Sequence, residues 1–172
     1  MLKSAKIVGL LVVAASLAVG CSESKNPAAQ TGAAPTPDAA FLLADKPADV
    51  RGVAQARNDR QNDEQVAVEG RIGGSKKPFV EGFAAFTLID AKLQWCADDE
   101  GCPTPWDYCC SDKTGQLALV KIVGPDGQPV SKDARELLGV NELSKIVVRG
   151  KAERDDQGNL TVLADKVHVV KD

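Results

Sequence analysis

Two glycine residues lie in the middle of segments that otherwise have the apolar pattern of β-strands. Gly70 interrupts residues 65–72, in which apolar and polar residues alternate, and Gly150 interrupts residues 145–153. Glycine weakens a flat strand, but it permits a bulge or a sharp bend. The two positions therefore predict a sheet that coils strongly on itself.

Three further segments complete a set of five predicted strands. They are residues 83–90, 116–123 and 160–170, the last with a predicted break near Asp165. One helix is predicted between the third and fourth strands, capped by Ser131 and ended by Gly139. A turn over 155–159 joins the last two strands as a hairpin, and a short helix over 45–57 precedes the first strand.

The order of three strands, one helix and two strands, with glycine inside the first and fourth strands, resembles the OB-fold. Residues 66–71 and 146–151 look like the glycine-marked strands of OB proteins. The resemblance covers residues 65–171 and implies an all-β, five-stranded Greek-key barrel with one or two short helices. A plain antiparallel meander or a small sandwich is the alternative that the same pattern leaves open.

The first twenty residues have the pattern of an export signal. Lys3 and Lys6 precede an apolar run over residues 7–19. A helix of that length covers about 20 Å, which is short of a bilayer core of about 30 Å. The run therefore predicts a signal peptide over residues 1–20 and not a membrane-spanning helix.

The apolar run ends in Leu17-Ala18-Val19-Gly20-Cys21, which resembles the lipobox of bacterial lipoproteins. The resemblance implies cleavage before Cys21, a diacylglyceryl thioether on its sulfur and a further acyl chain, such as palmitate, on the new amine. It predicts a protein held by lipid in the cell envelope, at the periplasmic face of the inner or outer membrane or at the outer surface. The alternative is an ordinary secreted protein in which Cys21 is unmodified.

Composition divides the rest of the chain in two. Residues 21–44, from the lipidated cysteine onward, are rich in alanine and proline and predict a flexible tether, whereas residues 45–172 predict the barrel domain with an insertion over 91–115. Removal of the signal peptide takes away two lysines and no acidic residue, so the formal net charge changes from -3 to -5. Such a charge argues against nucleic-acid binding, which would rest on fold analogy alone.

The insertion holds both tryptophans, the only tyrosine and four of the five cysteines. These cysteines are Cys96, Cys102, Cys109 and Cys110. In an oxidising compartment they predict two disulfides, which would staple a proline-rich loop that is poor in aliphatic residues. Three pairings are possible, and the strain of joining Cys109 to Cys110 favours bridges from the first two cysteines to this adjacent pair.

Two other chemistries are open to the same four cysteines. Thiolates bind zinc or an iron–sulfur cluster, but zinc-binding cysteines are usually paired two to four residues apart, unlike those here. Thiol redox chemistry at Cys109 and Cys110 would need a nearby cation to lower a thiol pKa, and no Lys or Arg lies between Cys96 and Asp112. The disulfide interpretation is preferred, and no metal or other cofactor is predicted.

A binding surface is predicted where the loop over residues 74–82 meets the insertion. Its candidate contact residues are Lys76, Lys77, Phe79, Trp95, Trp106 and Tyr108. Aromatic side chains dominate interface energetics, although these could instead pack inside the stapled loop. With one histidine and no phosphate-binding loop, no catalytic residue is assigned. The sequence therefore predicts a non-enzymatic, lipid-anchored binding or structural module with a possible envelope protein as partner; a metal-binding or thiol-redox protein is the alternative.

Overall fold

The structure is a computed structural model, and it describes residues 36–97 and 101–171. The predicted signal peptide, Cys21 and most of the predicted tether lie outside the described residues, as do residues 98–100 of the insertion. Within the described ranges, no helix combines the length and the apolar character that crossing a bilayer requires.

Six strands and two short helices make up the described fold. The strands are β1 (Val50–Gly52), β2 (Gln65–Ile72), β3 (Ala85–Asp90), β4 (Leu117–Ile122), β5 (Lys145–Arg154) and β6 (Leu160–Val169). The helices are α1 (Val53–Asp59) and α2 (Ala134–Leu138), and short 3-10 turns cover Ala39–Phe41 and Pro105–Asp107. All five predicted strands are confirmed, and β1 is an additional one.

Strands β2 to β6 close into a five-stranded barrel. Neighbours follow the order β2-β3-β4-β6-β5, and β5 pairs again with β2 to complete the circle. Strands β4 and β6 run parallel, whereas the other pairs of the barrel are antiparallel. The fold is therefore all-β and OB-fold-like, as predicted, and neither a meander nor a sandwich.

Gly150 marks the position at which β5 bends. The register between β5 and β6 shifts directly after Arg149, and Asp165 is left out of the ladder at the predicted break. A Cβ atom on Gly150 would overlap the backbone carbonyl of Leu163. A side chain cannot be accommodated there, which explains why glycine occupies the middle of a buried strand.

Residues 45–57 do not form the single helix that was predicted. The first half of the segment leads into β1, which pairs in parallel with β2, and α1 begins only after Gly52, its N-cap. The Asp90 carboxylate at the end of β3 accepts a hydrogen bond from the N–H of Ala54 (3.0 Å). Gly52 has no side chain that could cap the helix, so Asp90, distant in sequence, supplies the capping carboxylate. A Cβ atom on Gly52 would lie 2.6 Å from that carboxylate, so the close approach also requires glycine.

Helix α2 lies between β4 and β5, as predicted, but it is capped by a different residue. The N-cap is Asp133 and not Ser131, because the Asp133 carboxylate accepts the N–H of Arg135 (2.8 Å). The helix ends at Gly139 in the left-handed conformation, with φ of 68°. Its buried side chains, Ala134, Leu137 and Leu138, join a core of aliphatic residues from the barrel strands. The strand residues of this core include Ile72, Leu88, Val120, Ile122, Ile146 and Leu160.

The end of the predicted tether packs on the barrel. Leu42 forms a parallel bridge to Val167, and the N–H of Leu43 donates to the Val167 carbonyl oxygen (2.8 Å). Phe41 and Leu42 pack against the core. The apolar residues 41–43 explain this docking, because burying their side chains against the barrel stabilises the contact of an otherwise polar segment. The folded part of the chain therefore begins before the predicted boundary.

Candidate functional site

The insertion joins β3 to β4 and is fixed to the β2–β3 loop (residues 73–84). The carbonyl oxygen of Trp106 accepts the N–H of Gly74 (2.7 Å), and the Trp106 indole N–H donates to the carbonyl oxygen of Lys76 (3.2 Å). The Lys113 ammonium donates to the carbonyl oxygens of Gly74 (3.1 Å) and Asp107 (2.8 Å) and to the Asp107 carboxylate (3.3 Å). These hydrogen bonds hold the insertion and the loop as one unit.

Tyr108 anchors the insertion in the interior. Its side chain is fully buried and is the largest of the fully buried side chains in the described chain. Burial raises the pKa of the phenol, and no described residue hydrogen-bonds to its hydroxyl. The backbone at Tyr108 is left-handed, with φ of 55°, and its carbonyl oxygen accepts the N–H of Ser111 (3.1 Å). A tight turn therefore follows directly after the anchor.

The four cysteines of the insertion come together in one group, the sulfur cluster (Cys96, Cys102, Cys109 and Cys110). The Cys109 sulfur lies 3.4 Å from that of Cys96, 3.2 Å from that of Cys102 and 3.7 Å from that of Cys110. All four are free thiols in the structure, so the two predicted disulfides are not formed there. Cys96 is only 1% exposed, Cys102 is partly buried, and Cys109 and Cys110 are exposed. The cluster thus has a buried floor and an open rim.

Hydrogen bonds within the sulfur cluster spread the thiol pKa values apart. Bonds from the side chain and backbone N–H of Cys110 lower the pKa of Cys96 from an ordinary 9.0 to about 7. The pKa of Cys109 is raised to about 11, chiefly by its bond to Cys102, and that of Cys110 to about 12, chiefly by its bond to Cys96. The thiol that ionises is therefore the inaccessible one, which is the reverse of what a redox nucleophile requires.

The six predicted contact residues divide into exposed and buried ones. Lys76 and Lys77 are exposed, whereas Trp95 and Trp106 are partly buried. Phe79 is 6% exposed and Tyr108 is 0% exposed, so neither can meet a partner at the surface. Phe79 packs on Phe86, with ring centroids 6.0 Å apart, and the Arg135 guanidinium lies 4.0 Å from the centre of its ring. These two aromatic residues belong to the interior.

Sequence reasoning did not name Val80, although Val80 lies in the predicted surface loop over residues 74–82, and it missed Phe83; they are 45% and 46% exposed. They are neighbours at the tip of the β2–β3 loop, where the N–H of Phe83 donates to the carbonyl oxygen of Val80 (3.2 Å). Phe83 was assigned to a strand, but β3 starts two residues later, after a turn at Gly82. No signal in the sequence distinguishes Phe83 from Phe79, because both are aromatic residues beside a glycine-containing loop.

OB proteins bind single-stranded nucleic acid on the face formed by strands that correspond to β3 and β4, and in the described residues this face carries no exposed aromatic ring. Such binding relies on bases stacking against exposed aromatic rings. On β3 and β4 the aromatic residue is Phe86, which is 0% exposed. The Asp90 carboxylate is buried at the end of β3, where it accepts hydrogen bonds from the backbone N–H groups of Ala54 and Lys92. It therefore has a structural role within the fold.

Comparison with known proteins returned no relative, since no family model and no curated protein matches this sequence.

Proposed function

We propose that this chain is a non-enzymatic, lipid-anchored module of the bacterial cell envelope that binds a protein partner through the β2–β3 loop. The observation that carries the proposal is the exposure of Val80 and Phe83 side by side at the tip of that loop, at 45% and 46%. Aromatic and aliphatic side chains that remain in water as neighbours are typical of interaction sites. Burial of Phe83 alone would contribute roughly 2 kcal/mol to binding.

Charge on the loop indicates what kind of partner it fits. Lys76 and Lys77 are exposed beside the apolar tip, and Glu81 is the exposed acidic residue between Val80 and Phe83. The loop is therefore cationic on a chain with a formal net charge of -3. We expect a partner with an apolar pocket bordered by carboxylates, because opposite charges at the rim speed association and select among partners.

The insertion supports this role by making the loop rigid. Trp106 and Lys113 bind the backbone of Gly74 and Lys76, so the loop has little conformational freedom to lose when a partner binds. In an oxidising envelope we expect disulfides to strengthen this support. Cys102 and Cys109 have the shortest sulfur contact, 3.2 Å, which leaves Cys96 for Cys110, its leading hydrogen-bond partner.

The location in the envelope rests on the amino-terminal sequence. The charged start, the short apolar run and Cys21 at its end favour export followed by acylation, including palmitate, of that cysteine. Two or more acyl chains hold a protein at a membrane stably, whereas one does not.

Site-specific photo-crosslinking of the full-length chain in the envelope of cells that produce it tests the proposal. A photoreactive residue at position 83 should give one discrete protein adduct, and the matched position 151, exposed on β5, should give none. The change Phe83→Ser should lower capture of the same partner about tenfold or more. Equal adducts from both positions, or undiminished capture by Phe83→Ser, would contradict the assigned surface.

A further inference from the structure

We propose that the sulfur cluster, when its cysteines are reduced, is a binding site for a single thiophilic divalent metal ion, with Zn²⁺ as the ion that it fits. This inference goes beyond the proposed partner binding and depends neither on the membrane anchor nor on the β2–β3 loop.

Sulfur separations support coordination. Four thiolates bound to Zn²⁺ at about 2.3 Å form a tetrahedron with edges of about 3.8 Å. The Cys109 sulfur lies 3.2 Å from that of Cys102 and 3.4 Å from that of Cys96, and these three sulfurs all lie within 4.8 Å of one another, as the ligands on one face of such a tetrahedron do. The Cys110 sulfur lies 3.7 Å from that of Cys109 and is not a member of this group of three. An expansion of a few tenths of an ångström admits the ion, whereas a disulfide requires contraction to about 2.05 Å.

The turn after Tyr108 brings the sulfurs of two adjacent cysteines close together. Neighbouring side chains in an extended chain point in opposite directions. Here Cys109 and Cys110 occupy the two central positions of a turn closed by the hydrogen bond from the Ser111 N–H to the Tyr108 carbonyl oxygen (3.1 Å). Their sulfurs consequently lie 3.7 Å apart, and the Cys109 sulfur also contacts those of Cys96 and Cys102.

Access and support also fit a metal site. Cys96 forms a buried floor, while Cys109 and Cys110 leave an open path from solvent. The backbone N–H of Cys110 donates to the Cys96 sulfur. Hydrogen bonds to ligand atoms orient them and tune the bound metal, and a site of this kind needs both such support and an entry path.

The ligand set restricts the choice of ion. Thiolates select Zn²⁺ and other soft ions over Mg²⁺ and Ca²⁺, which prefer oxygen ligands. Sulfurs only 3.2 to 3.7 Å apart close around one ion and leave no room for an iron–sulfur cluster with its own sulfides. The geometry therefore favours one mononuclear site.

Metal binding and disulfide formation are alternative states of the same four sulfurs. The divalent ion replaces the protons of the thiols that bind it, and these protons pass to solvent. A disulfide oxidant removes two electrons and two protons from each cysteine pair and is itself reduced to two thiols. The cysteines so joined no longer bind the ion, so oxidation of both pairs releases it.

Zinc titration of the reduced, detergent-solubilised full-length chain, in competition with a chromophoric chelator, tests the inference. We expect one Zn²⁺ per chain and a loss of affinity of more than about 100-fold in Cys102→Ser, since even outer partners of a metal site are worth up to that factor. Ser111→Ala, in the same turn but without a lost sulfur, is the matched control and should bind as the unchanged chain does.

Peptide-mapped alkylation supplies a readout that does not depend on a variant's folding. In the unchanged chain, Zn²⁺ should protect Cys96, Cys102 and Cys109 from an alkylating reagent, and Co²⁺ should give the visible spectrum of a tetrahedral thiolate complex. Protection of two or fewer of them, or equal zinc affinity in Cys102→Ser, would overturn the assignment. A Cys21→Ser change that releases the chain from membranes should leave this zinc binding unaltered, so the two proposals fail separately.

Discussion

Gly73 and Tyr108 meet where the insertion docks on the barrel: a Cβ atom on Gly73 would lie 3.0 Å from Cε2 of Tyr108 and 2.6 Å from the carbonyl oxygen of Trp106. The absence of a side chain at Gly73 is thus what lets the anchor of the sulfur cluster reach the interior. The docking of the insertion depends on this close approach.

Replacement of Gly73 by alanine should therefore push the insertion away from the barrel. We expect a loss of about 1 to 3 kcal/mol in the free energy of unfolding, as for other overpacked sites. Denaturant unfolding measures this loss, and faster alkylation of the buried Cys96 in the reduced protein locates it. The change Gly101→Ala is the control, since among the described residues no atom beyond its chain neighbours lies within 4 Å of the added Cβ; it should cost only the strain of its left-handed backbone, about 1 kcal/mol. Unchanged stability and unchanged Cys96 reactivity in Gly73→Ala would contradict the docking.

The hydroxyl of Tyr108 is buried and has no hydrogen-bond partner among the described residues. A buried polar group without a partner costs roughly 1 to 3 kcal/mol, so Tyr108→Phe should stabilise the protein by about 1 kcal/mol. Tyr108→Ala removes the whole anchor and should destabilise it by about 3 to 5 kcal/mol. Thermal or denaturant unfolding of both variants checks the pair of values. A marked loss of stability in Tyr108→Phe would show that the hydroxyl has a partner.

The spread of thiol pKa values predicts a pH optimum for the stability of the reduced protein. Because the pKa of Cys96 is lowered to about 7, its contribution is present above pH 9 and is lost as the pH falls through 7. Because the pKa of Cys109 is raised to about 11, its contribution is present below pH 9 and is lost as the pH rises through 11. Cys110, raised to about 12, acts in the same direction as Cys109.

Stability of the reduced protein should therefore rise from pH 7 to about 9 and fall above it, relative to the oxidised protein. The oxidised form is the matched reference, since it retains Tyr108 and every other titrating group but has no cluster thiols. Melting temperatures of the two forms across this range measure the difference. A difference that stays constant with pH would contradict the hydrogen-bond arrangement of the cluster.

Much of the barrel could be predicted because its signals are local. Alternation of apolar residues locates strands within a few positions, and Gly70 and Gly150 indicate the curvature that closes the sheet. The predicted helix over 45–57 was wrong in its first half, because the helix begins only where Asp90, at the end of β3, caps it. A local pattern cannot reveal a capping partner that is 36 residues away.

The site was only partly predictable for a similar reason. Spacing alone grouped the four cysteines, but the turn that brings the sulfurs of Cys109 and Cys110 to 3.7 Å depends on how Tyr108 enters the interior. Phe79 and Phe83 have similar sequence surroundings, so the sequence does not show which of the two rings is buried. The β-bridge between Phe79 and Phe86 places the Phe79 ring in the interior. The exposed partner surface thus follows from packing between distant segments.

Intact-mass measurement of the unreduced protein extracted from membranes tests the central claim, that this is an exported, lipid-anchored domain, most directly. We predict a chain that begins at Cys21 and carries the mass of a diacylglyceryl group and an amide-linked acyl chain. A chain that retains Met1 and carries no acyl mass, or a protein recovered only from the cytosol, would contradict the account.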